Sequence, residues 1–214
     1  MTAIGIAGWG LVGFVLGGVL RVAIRRSSIL AVECGRLAPP ALLEGATGVL
    51  FSALAWRVGA EPDLFAYSWL AAAGVQLAAL DWKTRTLPTK LIWPSGVVLA
   101  ALLTLASALD RDVYSLIRAG AGMVALLAFY GTLYFLRPGQ LGGGDLRLGG
   151  LLGLALGWLN WSAVITGTLL GLVAAAVALL VLRVPRQSDH DGVLPLGPFL
   201  IIGALAIVLA SPAI

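Results

Sequence analysis

The sequence holds one cysteine, Cys34, and one histidine, His190, in 214 residues. A lone cysteine excludes an internal disulfide and a four-cysteine zinc site. Charge is nearly as scarce: 11% of residues are charged, 60% are hydrophobic and the mean hydropathy is +1.00. That balance excludes an ordinary soluble domain. Alternation of apolar and polar residues is missing, and with it the pattern of a membrane β-barrel. No basic run precedes the first apolar segment; Arg21, Arg25 and Arg26 follow it, as after a membrane anchor rather than in a cleaved signal. The net charge of +4 does not imply nucleic acid, because in a membrane chain the position of each basic residue matters more than their sum.

What the sequence does contain is a series of apolar runs, each near the ~20 residues that cross a bilayer as a helix. They are Ala3–Leu20, Ala41–Trp56, Leu64–Leu80, Leu91–Leu109, Leu116–Leu136, Leu148–Leu182 and Pro195–Leu209. Leu148–Leu182 would reach ~52 Å as one helix, too long for a single modestly tilted span. Gly157-Trp158-Leu159-Asn160-Trp161 combines a glycine, an asparagine and two interfacial tryptophans, so a turn is expected there. The reading is therefore all-α: a polytopic integral membrane protein of about eight transmembrane helices, one domain over residues 1–214. With the N-terminus outside, 11 of the 14 basic residues fall in inside loops; only Arg57, Arg111 and Arg118 fall outside. A single long span would move Arg183 and Arg186 outside and weaken that asymmetry.

Two carboxylates stand out on the inside face. Asp145 lies in Leu141-Gly142-Gly143-Gly144-Asp145-Leu146-Arg147, where the glycines permit positive φ and close approach by another backbone. Taken alone, Asp145 reads more readily as a solvated loop aspartate that caps a helix starting at Leu146. Asp81 ends the third apolar run, and Pro88 then breaks the helix and fixes an extended turn. Ionisable groups at membrane depth are expensive and for that reason point to function. Two carboxylates sharing a site do not both ionise easily: one keeps its proton while the other activates a water against an amide carbonyl. Lys83 and Arg85 serve as inside anchors or favour an ionised Asp81.

The competing groups read as structural. Gly13 with Gly17, Gly149 with Gly153 and Gly157, and Gly167 with Gly171 have the fourfold spacing that lets helices pack closely. His190 sits in a polar loop, Cys34 lacks a partner histidine nearby, and Glu44 is placed for a contact between helices.

Three separated blocks resemble the type IV prepilin peptidases, membrane aspartyl proteases of the Gly-x-Gly-Asp class. They are Leu80-Asp81 through Leu87-Pro88, then Gly142-Gly143-Gly144-Asp145-Leu146-Arg147, and finally Leu194-Pro195-Leu196-Gly197-Pro198-Phe199-Leu200. A weaker match is Leu42 to Phe51, which is similar to the start of the family's second helix. The resemblance implies a catalytic pair, Asp81 and Asp145, supported by Gly142, Gly143, Gly144, Lys83, Pro88 and Arg147, with no cofactor and no metal. It also implies prepilin or pseudopilin substrates, whose short basic leaders are cut at the cytoplasmic face of a bacterial inner membrane, just before the substrate's apolar helix. Thr89, Arg147 and Leu196 depart from the residues usual in the family, and none of these changes removes a carboxylate. Many members carry paired Cys-x-x-Cys zinc motifs between the first two spans, associated with N-methylation of the trimmed product. Here that loop retains only Cys34, so a peptidase without methyltransferase activity is expected. The sequence leaves two rivals, a proton- or cation-coupled transporter and a non-catalytic pilus-assembly component, and it does not reach the oligomeric state.

Overall fold

The computed structural model describes residues 1–26, 40–85, 87–136, 142–181 and 195–211. Among them the secondary structure is helical: α1 (Ala3–Arg26), α2 (Pro40–Val58), α3 (Asp63–Thr84), α4 (Thr89–Asp110), α5 (Val113–Leu136), α6 (Gly143–Leu159), α7 (Trp161–Val181) and α8 (Gly197–Ala210). The polytopic, all-α reading holds, and six helices, α1 to α5 and α7, are long and apolar enough to cross a membrane. α6 and α8 are shorter, at 17 and 14 residues.

Burial divides the helices into two kinds. α1, α4, α5 and α7 expose large apolar side chains such as Leu11, Val97, Ile117 and Leu169, which suit a lipid neighbour. α3 buries most of its length and with it Asp63, Ser68, Gln76 and Asp81. α3 packs on α1, α2, α4 and α8, while α6 packs on α4, α5, α7 and α8. These two helices carry Asp145 and Asp81 into the interior of the bundle.

The glycine spacing does pack helices. α5 and α6 meet along Gly122, Gly153 and Gly157, where a Cβ at Gly157 would stand 2.8 Å from the Arg118 carbonyl oxygen. The break in the long apolar stretch falls at Asn160, whose side-chain oxygen accepts the Ala163 amide at 2.7 Å and caps α7. Arg118 helps to end α6. Its guanidinium donates to the carbonyls of Gly157 (2.8 Å) and Leu159 (2.9 Å), and also to that of Trp158. Between α4 and α5, Asp112 caps α5 through the Ser115 amide at 3.1 Å, and the Ser115 hydroxyl holds its carboxyl below the ordinary range. Both features lie at the end of the bundle away from Asp81 and Asp145.

At the other end Arg21 of α1 meets Glu44 of α2 at 3.1 Å, with side chains 9% and 18% exposed. Glu44 thus makes the contact between helices expected of it. Removing one partner of a buried pair leaves a charge without compensation, so Glu44→Ala is expected to destabilise the fold by about 3 kcal/mol. Thermal unfolding of the detergent-solubilised protein measures this, with Arg21→Met/Glu44→Leu expected to recover most of the loss. A Glu44→Ala protein that melts with the wild type would contradict the assignment.

Several helix starts differ from the apolar runs because polar residues at the membrane edge continue the helix. α3 begins at Asp63, α4 at Thr89 and α5 at Val113. The largest shift is in α6, which begins at Gly143, five residues before the apolar run at Leu148, so Asp145 lies in its first turn instead of capping a helix that starts at Leu146. Gly142 has φ −74°, and Gly59 is the one positive-φ glycine among the described residues. Backbone freedom is therefore not what Gly142, Gly143 and Gly144 supply here.

Candidate active site

Asp81 stands in the last turn of α3, 4% exposed. Its Oδ2 accepts the Gly197 amide at 2.9 Å, the first amide of α8. A helix N-terminus presents unpaired N–H groups and a positive dipole end, so the carboxylate gains both a hydrogen bond and a favourable field. A side chain at this position would press on the carboxylate. A Cβ at Gly197 would stand 2.6 Å from Asp81 Oδ2 and 3.2 Å from Leu87 Cδ1. Beside this contact the Trp82 ring, itself largely exposed, lies 6.4 Å from that of Phe199 on α8.

Leu87 links the two aspartate segments. It is buried, next to Pro88, whose extended backbone (φ −69°, ψ 122°) leads into α4. On its other side it meets the first turn of α6: a Cβ at Gly144 would stand 2.5 Å from Leu87 Cβ and 2.9 Å from its carbonyl oxygen. The missing side chain of Gly144 therefore lets α6 begin directly against the Leu87-Pro88 turn. This close approach, not positive φ, accounts for the glycine before Asp145.

Asp145 turns back on its own helix. Its amide donates to the carbonyl of Gly142, the N-cap of α6, at 3.0 Å, and its carboxylate lies beside that residue, with Oδ2 3.3 Å from where a Cβ at Gly142 would stand. That is the geometry of an acid at N3 reaching back to the cap. Asp81 acts on it electrostatically. The structure thus brings together two carboxylates from different helices, Asp81 on the first amide of α8 and Asp145 in the first turn of α6. Such a pair can share one proton, and in a poorly hydrated setting the pair rather than either residue sets the titration.

A model of the type IV leader peptidase family matches residues 64–184, more than half of the chain and inclusive of both aspartate segments. The chain belongs to that family. No significant match was found among curated proteins or solved structures. The leader peptidase is accordingly a protease, and its long apolar helices make it a multi-pass membrane protein.

The remaining residues singled out in the sequence take different places in the peptidase. Gly142, Gly143 and Gly144 form the start of α6, and Pro88 precedes α4. Lys83 is exposed, and Arg147 donates to the Gly143 carbonyl at 3.0 Å on the surface of α6. Among the described residues neither forms an ion pair with a carboxylate. Cys34 and His190 lie outside the described residues; among the described residues no three His, Cys, Asp or Glu side chains gather in a group able to hold a metal. Gly197 and Leu87 were visible only as members of motifs. The signal for Gly197 was a glycine before a proline at the start of an apolar run, and it did not say which side chain the amide would meet.

Proposed function

We propose that this leader peptidase cleaves short basic leaders from prepilin or pseudopilin precursors, with Asp81 and Asp145 as the catalytic pair and the whole chain as one peptidase domain. The observation that carries this reading is the convergence of the two carboxylates, Asp81 on the Gly197 amide and Asp145 in the first turn of α6, with Leu87 packed between their segments. One carboxylate, ionised, takes a proton from a water, whose oxygen attacks the carbonyl carbon of the scissile amide. The other, protonated, donates to the carbonyl oxygen. The tetrahedral intermediate collapses when the amide nitrogen receives a proton and the C–N bond breaks, releasing a carboxylic acid and an amine. The pair is left with one proton, ready for another cycle. No cofactor enters these steps.

The aspartate end of the bundle is assigned to the cytoplasm of a bacterial inner membrane. In support, Arg21, Arg26, Lys83, Arg85, Lys90 and Arg147 lie at that end, and Arg57, Arg111 and Arg118 at the other. The connection between α1 and α2, residues 27–39, holds one cysteine and so lacks paired Cys-x-x-Cys motifs. On this ground the trimmed product keeps a free N-terminal amine.

Co-expression with a prepilin from the same genome tests the proposal, with the product followed by mass. The expected result is loss of the leader and no added methyl group. Persistence of the full precursor beside a well-expressed peptidase would contradict the substrate assignment. Ion flux through proteoliposomes without cleavage would favour a transporter.

A further inference from the structure

We propose that the cavity at the end of the bundle opposite Asp81 and Asp145 binds a primary ammonium group, at a site separate from the reaction and independent of the leader-peptidase reading. α3 carries a buried carboxylate at each end, Asp63 and Asp81, with about 27 Å of helix between them. The cavity at the Asp63 end has a volume of about 190 Å³, where roughly 10–15 Å³ already admits a water molecule. Asp63, Tyr67 and Trp158, each less than a tenth exposed, form its inner part, and the exposed Glu61, Asp110 and Asp112 stand around it. Asp63, 8% exposed, is left incompletely paired. Its Oδ2 accepts the Trp158 indole N–H at 2.9 Å, whereas Oδ1 is buried with no hydrogen-bond partner among the described residues. Asp110, Glu61 and Asp112 act on it electrostatically, all with the same sign. A buried carboxylate without a counter-charge is destabilising, and like charges around it add to that cost.

The protein's own cations at this end are engaged elsewhere. Arg57, the one basic side chain in the lining, donates to the carbonyls of Leu209 (2.9 Å) and Ala210 (3.3 Å) at the end of α8. Arg118 donates to the carbonyls that end α6, and neither it nor Arg111 lines the cavity. Among the described residues no carboxylate at this end forms an ion pair. Four carboxylates against one guanidinium make the lining attractive to a cation. The same lining selects its kind. Among the described residues no three acidic side chains gather closely enough to hold a metal, so they cannot replace a metal ion's hydration shell. An ammonium group brings three N–H donors of its own and can reach separated oxygens, Asp63 Oδ1 among them. Tyr67 and Trp158 add aromatic surface, and Val58, Leu159 and Val208 aliphatic surface, which suit the cation and the carbon chain attached to it. Two sources supply this chemistry at the edge of a membrane, the headgroup of phosphatidylethanolamine and a free polyamine.

Binding to the purified full chain tests the inference. In detergent the protein is titrated with 1,4-diaminobutane by calorimetry; in phosphatidylcholine vesicles its melting is compared with and without phosphatidylethanolamine. The expected result is saturable binding of the diamine, a higher Tm with phosphatidylethanolamine, or both, and the arm that responds identifies the source. Asp63→Asn keeps an acceptor for the Trp158 indole and removes the charge, so it is expected to weaken binding about tenfold or more. Asp110→Asn, on the exposed rim, is expected to weaken it severalfold and serves if Asp63→Asn does not fold. Tetramethylammonium, which carries the charge without N–H donors, is expected to bind about tenfold more weakly than the diamine. No response in either arm would overturn the assignment and leave Asp63 a neutral acid of the core. Unchanged affinity in the asparagine variant, or equal binding of tetramethylammonium, would overturn it as well. None of these outcomes bears on leader cleavage, which takes place at the other end of the bundle.

Discussion

Asp81→Asn and Asp145→Asn are each expected to lower leader cleavage about 10³-fold or more, and the double variant to lose little beyond either single one. Asparagine keeps the shape of the side chain and an oxygen acceptor. The Gly197 amide still finds a partner at position 81. What is lost is the ability to hold or release a proton. Because the two carboxylates work as one unit, removing either proton site stops the same step, and the second removal has nothing left to take away. Measured as prepilin processing at matched membrane levels, the three variants should be almost indistinguishable. A single variant that retains a tenth of wild-type activity would show that its aspartate is not part of the chemistry.

The second large effect is expected at a residue without a side chain. Gly197→Ala places a methyl group 2.6 Å from Asp81 Oδ2 and 3.2 Å from Leu87 Cδ1. Either the carboxylate or the start of α8 must move, and a displacement of about 1 Å at a reacting group can lower the rate about 10²-fold. Alanine is a better helix former than glycine, so the loss should not come from weakening α8 itself. Gly45→Ala is the matched comparison: its added Cβ meets nothing within 4 Å, and cleavage should be unchanged. Equal activity of the two variants would remove Gly197 from any role in holding Asp81.

The span pattern could be read from composition because lipid imposes a single requirement on every spanning segment, a continuous apolar run with its backbone paired. The break at Asn160 was legible for a different reason, since asparagine is both a poor helix interior and a good cap, and it caps α7. Asp81 and Asp145 were legible as scarce charges in an apolar chain. Their partners were not. Asp81 is held by the amide of Gly197, 116 residues away, and every residue but proline has such an amide. Gly144 announced a close approach without naming Leu87 as the neighbour. The direction of a long side chain is set by packing rather than by its distance in sequence from a carboxylate, so Lys83 and Arg147 stand near the aspartates in the chain without pairing with them. The same limit hid Arg118, whose guanidinium ends α6 from the neighbouring helix.

The shared proton is the central claim, and the pH dependence of single-turnover cleavage by the purified protein tests it most directly. In acid both carboxylates are protonated and no base is left to activate water; in alkali both are ionised and no acid is left for the carbonyl oxygen. The expected profile is a bell with an acid and an alkaline limb, measured where the protein stays folded. A rate that holds a plateau at either extreme would contradict a mechanism in which Asp81 and Asp145 share one proton.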